Sequence, residues 1–359
     1  MILPEQPVND TDNRRENDPP PGFYIYYRYY RSTLQIMKTK KRIQTIAALL
    51  VLALLVSSAV YYKYNDIRGG SQAADPQETV TISIAYLPIT HALPLFEAKK
   101  LLEEENSNVQ VELVKYSGWS ELMDALNTGR VDGASVLIEM AMKSREQGIP
   151  LKLAMLGHRD GNVVITSEGI TEPSQLKGKT FAIPNTQSSP NILLQTLLEK
   201  NGLSADDVKI LEMAPTEMPA ALQSGQIDGY CVAEPFGAKA VDAGIGHVFA
   251  TSEELWGDSI CCGIVLNEDA VKDKESAVET FRKAYKDAGA KLDEKESEAI
   301  ATEYLGQNKS IVGLSLQWIS FDDLNVTKTA YDSLTDKVRS YGLSSEPPAY
   351  EDFVLQQGR

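Results

Sequence analysis

Short apolar runs alternate with amphipathic stretches along most of the chain after residue 80. Val80–Tyr86 is short and β-branched, as expected of a strand, whereas Pro94–Glu105 has its apolar residues on one helical face. The predicted strands are Val80–Tyr86, Val109–Tyr116, Ala134–Ile138, Leu151–Leu156, Asn162–Thr166, Thr180–Ile183, Val208–Glu212, Tyr230–Ala233 and Cys261–Leu266. The predicted helices are Pro94–Glu105, Trp119–Thr128, Glu139–Gln147, Pro190–Asn201, Met218–Ser224, Glu275–Leu292, Lys295–Leu305 and Asp322–Tyr341. Strands and helices in this order predict an α/β fold with parallel-type sheets covered by helices on both faces.

One short pattern occurs in each half of that region. Residues 125–132 read Ala-Leu-Asn-Thr-Gly-Arg-Val-Asp, and residues 221–228 read Ala-Leu-Gln-Ser-Gly-Gln-Ile-Asp. In both, a predicted helix ends at a glycine that can adopt the left-handed conformation, and a strand follows the aspartate. Such helix-to-strand connections are common, but one in each half predicts two similarly built lobes.

The first 79 residues have a different character. Residues 1–36 are polar, then rich in Pro and Tyr, and we predict them to be disordered. Residues 37–64 begin with basic Lys38–Arg42 and continue with an apolar segment, Ile43–Val60, which is the pattern of a signal peptide or of a transmembrane anchor. Both interpretations place the residues after the linker 65–79 outside the cytoplasm, at the cell membrane.

Charge and composition exclude several function classes. The chain carries a formal −15, and because residues 1–70 hold ten Lys or Arg against six Asp or Glu, the remainder carries −19. So acidic a region repels phosphate backbones, and we expect no nucleic-acid partner. A small anion would need a site built from local donors.

Neither the cysteines nor the histidines form a recognisable catalytic motif. Cys231, Cys261 and Cys262 lack the CxxC spacing of structural zinc sites, so we expect no metal and no cofactor. Cys231 could pair with one of the other two, or all three could be buried thiols. No nucleophile elbow or paired carboxylates are recognisable, and the sequence therefore predicts a protein that is not an enzyme.

Two predicted helix starts carry small polar residues suited to binding an oxyanion. A helix start offers unpaired backbone N–H groups and the positive end of the helix dipole. The first follows the strand 109–116 and the second follows the strand 180–183. The candidate ligand-binding residues at these starts are Ser117, Gly118, Trp119, Asn185, Thr186, Ser188 and Ser189. Ser117 and Ser188 could instead cap their helices, and Trp119 could pack the lobe.

Three further candidates follow predicted strands. His91 lies just past the first strand and His158 lies at the end of another, where ligands of open α/β sheets bind. Both could donate to an anion or could be structural. Glu234 ends a strand of the second half and would repel an anion. It therefore indicates a ligand with an amino or hydroxyl group, or a structural role between lobes.

These motifs together resemble a known family. The motifs are Ser117-Gly-Trp-Ser-Glu-Leu, Ala125-Leu-x-x-Gly-x-x-Asp132, Glu172-Pro-Ser-Gln-Leu-Lys-Gly-Lys179, Gly225-x-x-Asp228 and Glu234-Pro-Phe236 with Ala240-x-x-x-Gly-Ile-Gly246. They resemble the substrate-binding proteins of ABC importers for nitrate, sulfonate, taurine and bicarbonate, which share their fold with thiamine-pyrimidine precursor proteins. The resemblance covers residues 80–340 approximately. It implies a bilobed periplasmic-binding-protein-like fold of type II, with two α/β lobes joined by two crossing strands near 162–166 and 261–266 and preceded by an N-terminal hydrophobic helix.

The resemblance also implies domain organisation and function. Lobe 1 would comprise residues 80–166 and 261–345, lobe 2 residues 167–260, and residues 346–359 a tail. The implied protein is a monomer that closes around a small anionic or zwitterionic solute and delivers it to an ABC permease and its ATPase. A pyrimidine-precursor binder, an enzyme of the same fold and a membrane-attached sensor remain as alternatives.

Overall fold

The computed structural model describes residues 79–356, so the predicted disordered segment, signal or anchor and most of the linker lie outside the described residues. The strands are β1 Val80–Tyr86, β2 Val109–Lys115, β3 Gly133–Leu137, β4 Leu151–Leu156, β5 Arg159–Asp160, β6 Asn162–Thr166, β7 Thr180–Ile183, β8 Lys209–Glu212, β9 Gly229–Ala233, β10 His247–Thr251, β11 Cys262–Asn267 and β12 Ile319–Ser320. In the described part of the chain, no helix is both long and apolar enough to cross a bilayer.

The α-helices cover and connect these strands. They are α1 Leu93–Glu104, α2 Trp119–Asn127, α3 Ile138–Glu146, α4 Ser189–Lys200, α5 Met218–Gln223, α6 Phe236–Asp242, α7 Ser252–Leu255, α8 Glu268–Asp273, α9 Glu275–Lys291, α10 Glu294–Leu305, α11 Lys309–Ser315, α12 Lys328–Ser340 and α13 Tyr350–Phe353. Most predicted elements are therefore confirmed within a residue or two. The exception is the helix predicted at 322–341, which begins only at Lys328 because the Thr327 side chain caps it there.

The described chain forms two five-stranded sheets of matching design. The first has the order β2-β1-β3-β11-β4, and the second has the order β10-β6-β9-β7-β8. In each sheet three consecutive strands are parallel, and the strand that arrives from the other sheet, β11 or β6, pairs antiparallel beside them. The predicted α/β class is confirmed, but the sheets are mixed because each crossing strand enters its new sheet in the reverse direction.

The chain crosses between the sheets twice. It leaves the first sheet after β4 and enters the second at β6, and it returns from β10 to the first sheet at β11. Both crossing strands lie where the sequence placed them. β6, which the predicted division kept with the first lobe, pairs within the second sheet.

The repeated aspartate fixes a neighbouring strand in each sheet. Asp132 Oδ2 accepts hydrogen bonds from the Ser83 N–H of β1 at 2.8 Å and from Ser83 Oγ at 2.9 Å. Asp228 Oδ2 accepts from the Thr180 N–H of β7 at 2.9 Å. The aspartate of this motif therefore joins the strand that follows it to a neighbouring strand of the same sheet, β3 to β1 in the first sheet and β9 to β7 in the second.

We expect Asp132→Ala to lower the free energy of unfolding by about 2 kcal/mol, because it leaves the Ser83 N–H without its partner. Urea denaturation measures the change. Asp336→Ala serves as the control, since the Asp336 side chain is 81% exposed. Equal stability of the two variants would contradict the assigned role.

Candidate functional site between the strand ends

The carboxyl ends of parallel strands from the two sheets face each other. Thr90, which follows β1, donates its N–H to the carbonyl oxygen of Glu234, which follows β9, at 3.1 Å. Ser189, at the start of α4, donates its hydroxyl to Glu139, at the start of α3, and lies 3.1 Å from the Ile260 carbonyl oxygen. The loops after four strands therefore enclose one interior region.

Two histidines and two cysteines lie together in this region. The rings of His91 and His158 have centroids 3.5 Å apart, and His91 Nδ1 lies 3.5 Å from Cys262 Sγ. The sulfurs of Cys261 and Cys262 are 3.8 Å apart, and both residues, like Cys231, have free thiols. All four side chains are buried, and one ligand atom from each lies within 4.8 Å of the others. We call these four residues the His/Cys cluster.

Local structure explains how distant segments reach the cluster. His91 lies in the one-turn 3-10 helix Thr90–Ala92, directly after β1, and His158 follows β4. Gly157 precedes His158 and donates its N–H to the Cys262 carbonyl oxygen at 2.7 Å. A Cβ atom at Gly157 would lie 3.2 Å from that oxygen and 3.3 Å from the His91 carbonyl oxygen. The glycine thus lets three segments approach closely.

Burial and mutual contacts set the protonation of the cluster. Burial, with a smaller effect from His91, lowers the pKa of His158 to about 4, so that its imidazole is neutral at pH 7. Burial opposes ionisation of Cys261, but hydrogen bonds from Cys262, His158 and His91 outweigh it and hold the pKa of Cys261 well below its usual value. Burial and the neighbouring sulfur raise the pKa of Cys262 well above its usual value. Within the cluster, Cys261 is therefore the more readily ionised of the two thiols.

Two buried carboxyl groups border the same interior. Burial raises the pKa of Glu139 well above its usual value, and the nearby Cys261 adds to this effect. Burial raises the pKa of Glu234 to about 7, although hydrogen bonds from Ser315 Oγ at 2.8 Å and the Ala238 N–H at 3.1 Å favour its ionised form. Both groups favour a positively charged or hydrogen-bond-donating neighbour.

Several polar atoms of this interior have no hydrogen-bond partner among the described residues. They are Glu139 Oε2, Glu234 Oε1, His158 Nδ1, Asn162 Nδ2 and Gln307 Nε2. Buried polar atoms are normally paired, so that a group of unpaired ones indicates a place where a polar molecule or ion binds. The hydrogen bonds described here involve no Lys or Arg side chain.

The structure brings together four of the residues predicted from sequence, namely His91, His158, Ser189 and Glu234. Ser188 is buried, and its hydroxyl accepts the Asn191 N–H at 3.2 Å, so that it caps α4. Glu139 at the start of α3, rather than Ser117, is the partner of the α4 start.

The remaining predicted residues lie around the two helix starts. Gly118 is the N-cap residue of α2, and Trp119 is buried with an indole N–H that has no partner among the described residues. Ser117 and Thr186 are exposed, and Asn185 is half-buried with its side chain accepting the Gln187 N–H at 2.7 Å.

Sequence reasoning missed Glu139, Asn162, Gln307 and the role of the cysteines. The expectation of no metal rested on CxxC spacing, which does not apply to ligands that approach only in the folded chain. For Glu139 there was one signal, since it is an acidic residue within an apolar segment that follows a buried strand.

The sequence model of the NMT1-like family matches residues 75–306. A solved structure with a high similarity is the ligand-binding component of an ABC-type import system from Staphylococcus aureus with zinc bound. It is 38% identical, covers 77% of this chain and 96% of its own chain, and has a TM-score of 0.74.

Two other relatives are more distant. The nitrate import ATP-binding protein NrtC of Synechocystis is 26% identical over 266 residues, which are 68% of this chain and only 39% of that protein's length. The alkanesulfonate-binding protein SsuA of Xanthomonas axonopodis pv. citri, bound to MOPS, is 19% identical over 77% of this chain and 99% of its own, with a TM-score of 0.67. This last similarity concerns the fold alone and confirms a periplasmic-binding-protein-like fold. On the family match and the similarity to the staphylococcal protein, the chain belongs to the NMT1-like family.

Proposed function

We propose that this chain is the solute-binding component of an ABC importer and not an enzyme. The observation that carries the proposal is the set of unpaired, buried polar atoms between the facing strand ends of two sheets. The chain crosses between the sheets twice, which suits closure around a solute by a hinge. Two of its relatives are components of import systems, which favours an importer over a thiamine-precursor protein.

The relatives also support the place and partners of this activity. A binding protein of this family would act outside the cytoplasm and deliver its solute to a permease driven by an ATPase. Closure lets the permease distinguish the loaded form, because the solute stabilises the closed state by its differential affinity for that state.

The interior favours a zwitterionic solute over a simple anion. Glu139 and Glu234 border the site, and no Lys or Arg side chain takes part in the hydrogen bonds described there. An amino group would be held by Glu234, whose Oε1 has no partner among the described residues, while an acid group would accept from the amide of Asn162 or Gln307. Nitrate or bicarbonate has no cationic group to pair with Glu234 and would be repelled whenever that carboxyl group is ionised.

Isothermal calorimetry with taurine and with ethanesulfonate, which lacks the amino group, tests this proposal. We expect taurine-like zwitterions to bind, and Glu234→Gln to weaken their binding on the order of 10–100-fold, the value of a hydrogen bond to a charged group. Glu168→Gln is the control, because Glu168 is exposed.

Two outcomes would contradict the proposal at different levels. Equal binding of ethanesulfonate and taurine would reject the zwitterion preference. No stabilisation of the protein by any amino-sulfonate, amino-carboxylate, sulfonate, nitrate or bicarbonate would reject the importer function.

A further inference from the structure

The His/Cys cluster has the dimensions of a tetrahedral metal site. Zinc bonds of about 2.3 Å to sulfur and about 2.0–2.1 Å to nitrogen give tetrahedral edges of about 3.8 Å between two sulfurs and about 3.6 Å between sulfur and nitrogen. The corresponding separations here are 3.8 Å for Cys261 Sγ to Cys262 Sγ and 3.5 Å for His91 Nδ1 to Cys262 Sγ. These two separations match the expected edges, and one ligand atom from each of the four residues lies within 4.8 Å of the others.

The surroundings of the histidines suit coordination. His91 Nε2 lies 2.9 Å from the Gly161 carbonyl oxygen, which can only accept, so that Nε2 carries the proton and Nδ1 presents its lone pair to the cluster. An imidazole that donates to a carbonyl group through its second nitrogen is typical of metal-ligating histidines. His158 Nδ1 is buried and has no partner among the described residues. His158 Nε2 accepts only a weak hydrogen bond, of 3.4 Å, from the Cys262 N–H. The tautomer that carries its proton on Nε2 would lose this weak bond and leave Nδ1 free to bind a metal.

The charges of the region favour a cation. Two thiolates at Cys261 and Cys262 would lie 3.8 Å apart, in the same buried interior as the carboxyl group of Glu139. In a buried site such negative groups must be protonated or neutralised by a positive ion. A divalent ion would displace the thiol protons to solvent and balance both thiolates.

We infer that His91, His158, Cys261 and Cys262 bind one thiophilic divalent metal ion, with Zn²⁺ as the matching ion. Two thiolates and two neutral imidazoles favour zinc over Ca²⁺ and Mg²⁺, which prefer oxygen ligands. Four protein ligands leave no open position, as in structural rather than catalytic zinc sites.

This inference goes beyond the proposed function, because it assigns the ion a structural role that holds whichever solute binds. Its ligands come from the loop after β1, from the segment that leaves the first sheet and from the strand that returns to it. The ion would therefore join both crossing points of the chain and restrict the hinge. Bound thiolates would also be protected from oxidation outside the cytoplasm.

Metal analysis of the full chain tests the inference. The protein is purified without chelator in the presence of a phosphine reductant, stripped of metal, and titrated with Zn²⁺ and Co²⁺. We expect one ion per chain and a Co²⁺ complex with the thiolate charge-transfer band and the intense visible bands of tetrahedral coordination. Cys261→Ser and Cys262→Ser should each weaken Zn²⁺ binding by more than the roughly 10–100-fold that loss of an outer-shell partner costs.

Cys231→Ser is the matched control, since Cys231 is an equally buried free cysteine outside the cluster. It should keep full metal binding. Less than a tenth of an equivalent of zinc bound by wild-type protein, or equal binding by Cys231→Ser and both cluster variants, would overturn the inference. So would a mass lower by two hydrogens in protein purified without reductant together with a failure to bind metal after reduction, which would indicate a disulfide among the three cysteines instead.

Two further measurements keep the outcome interpretable. The Co²⁺ spectrum of the wild type requires no variant, and therefore does not depend on whether a serine substitution folds. Calorimetry of solute binding to stripped and to loaded protein separates the two hypotheses, because solute binding without metal binding would reject only the metal site. Metal binding without solute binding would reject only the proposed importer function.

Discussion

The free energy of unfolding of the wild-type protein is expected to fall by about 3 kcal/mol between pH 4.5 and pH 7, and Glu234→Gln is expected to abolish this fall. The Glu234 side chain is fully buried, and its pKa is raised from 4.5 to about 7 in the folded protein. Below pH 4.5 the carboxyl group is protonated in both states. As the pH rises, the unfolded state ionises first, so that unfolding becomes easier until the native group also ionises near pH 7.

The neutral amide of the variant has no such titration. Urea denaturation of wild type and variant at intervals from pH 4 to pH 8 gives the difference between the two stability curves. That difference isolates Glu234, because the other buried groups with shifted pKa values, such as Glu139 and His158, are present in both proteins and their contributions cancel. The exposed-site variant Glu168→Gln should follow the wild type. Parallel curves for wild type and Glu234→Gln would show that the carboxyl group titrates normally.

Gly263→Ala is expected to lower the free energy of unfolding by about 3 kcal/mol, at the upper end for overpacking of a buried site. Gly263 lies in β11, between β3 and β4, immediately after the His/Cys cluster. A Cβ atom there would lie 2.5 Å from Leu153 Cδ1 and 2.7 Å from the Met155 carbonyl oxygen. The leucine methyl group can rotate away, but the carbonyl group belongs to the paired strand β4 and cannot.

Gly169→Ala provides the comparison, because Gly169 is exposed and a Cβ atom there would meet nothing within 4 Å. At such a position alanine should leave stability unchanged or raise it slightly, since it restricts the unfolded chain. Thermal unfolding of both variants at one pH measures the contrast. Similar melting temperatures for the two would mean that β4 moves to accept the methyl group.

Local pattern was sufficient to predict most helices and strands. β4, β6 and β7 have the predicted bounds, because each is a short apolar run between polar or glycine-rich turns. The repeated Gly-x-x-Asp connection predicted two similarly built lobes, and the structure has two sheets of matching design with the crossing strands at the predicted positions. The short helix α6, which follows the turn at Glu234, was not predicted, since a brief segment has too little periodicity to be recognised.

The direction of the crossing strands could not be predicted in this way. Periodicity reports which residues are buried but not which neighbour a strand pairs with, and so the antiparallel pairing of β11 and β6 was missed. The same limit applies to the site. His91 and His158 were identified because they follow strands, whereas Ser188 proved to be a helix cap, one of its two predicted roles.

The sequence by itself determined the α/β class, the order of the elements, the acidic charge and the family, because these depend on composition, local periodicity and short motifs. Only the tertiary structure decided that Glu139 meets Ser189 and that His91 and His158 meet Cys261 and Cys262. The physical reason is distance along the chain: Cys262 is 171 residues from His91, and no local preference encodes the contact. It arises because two sheets with crossing strands bring their carboxyl ends to one buried interior.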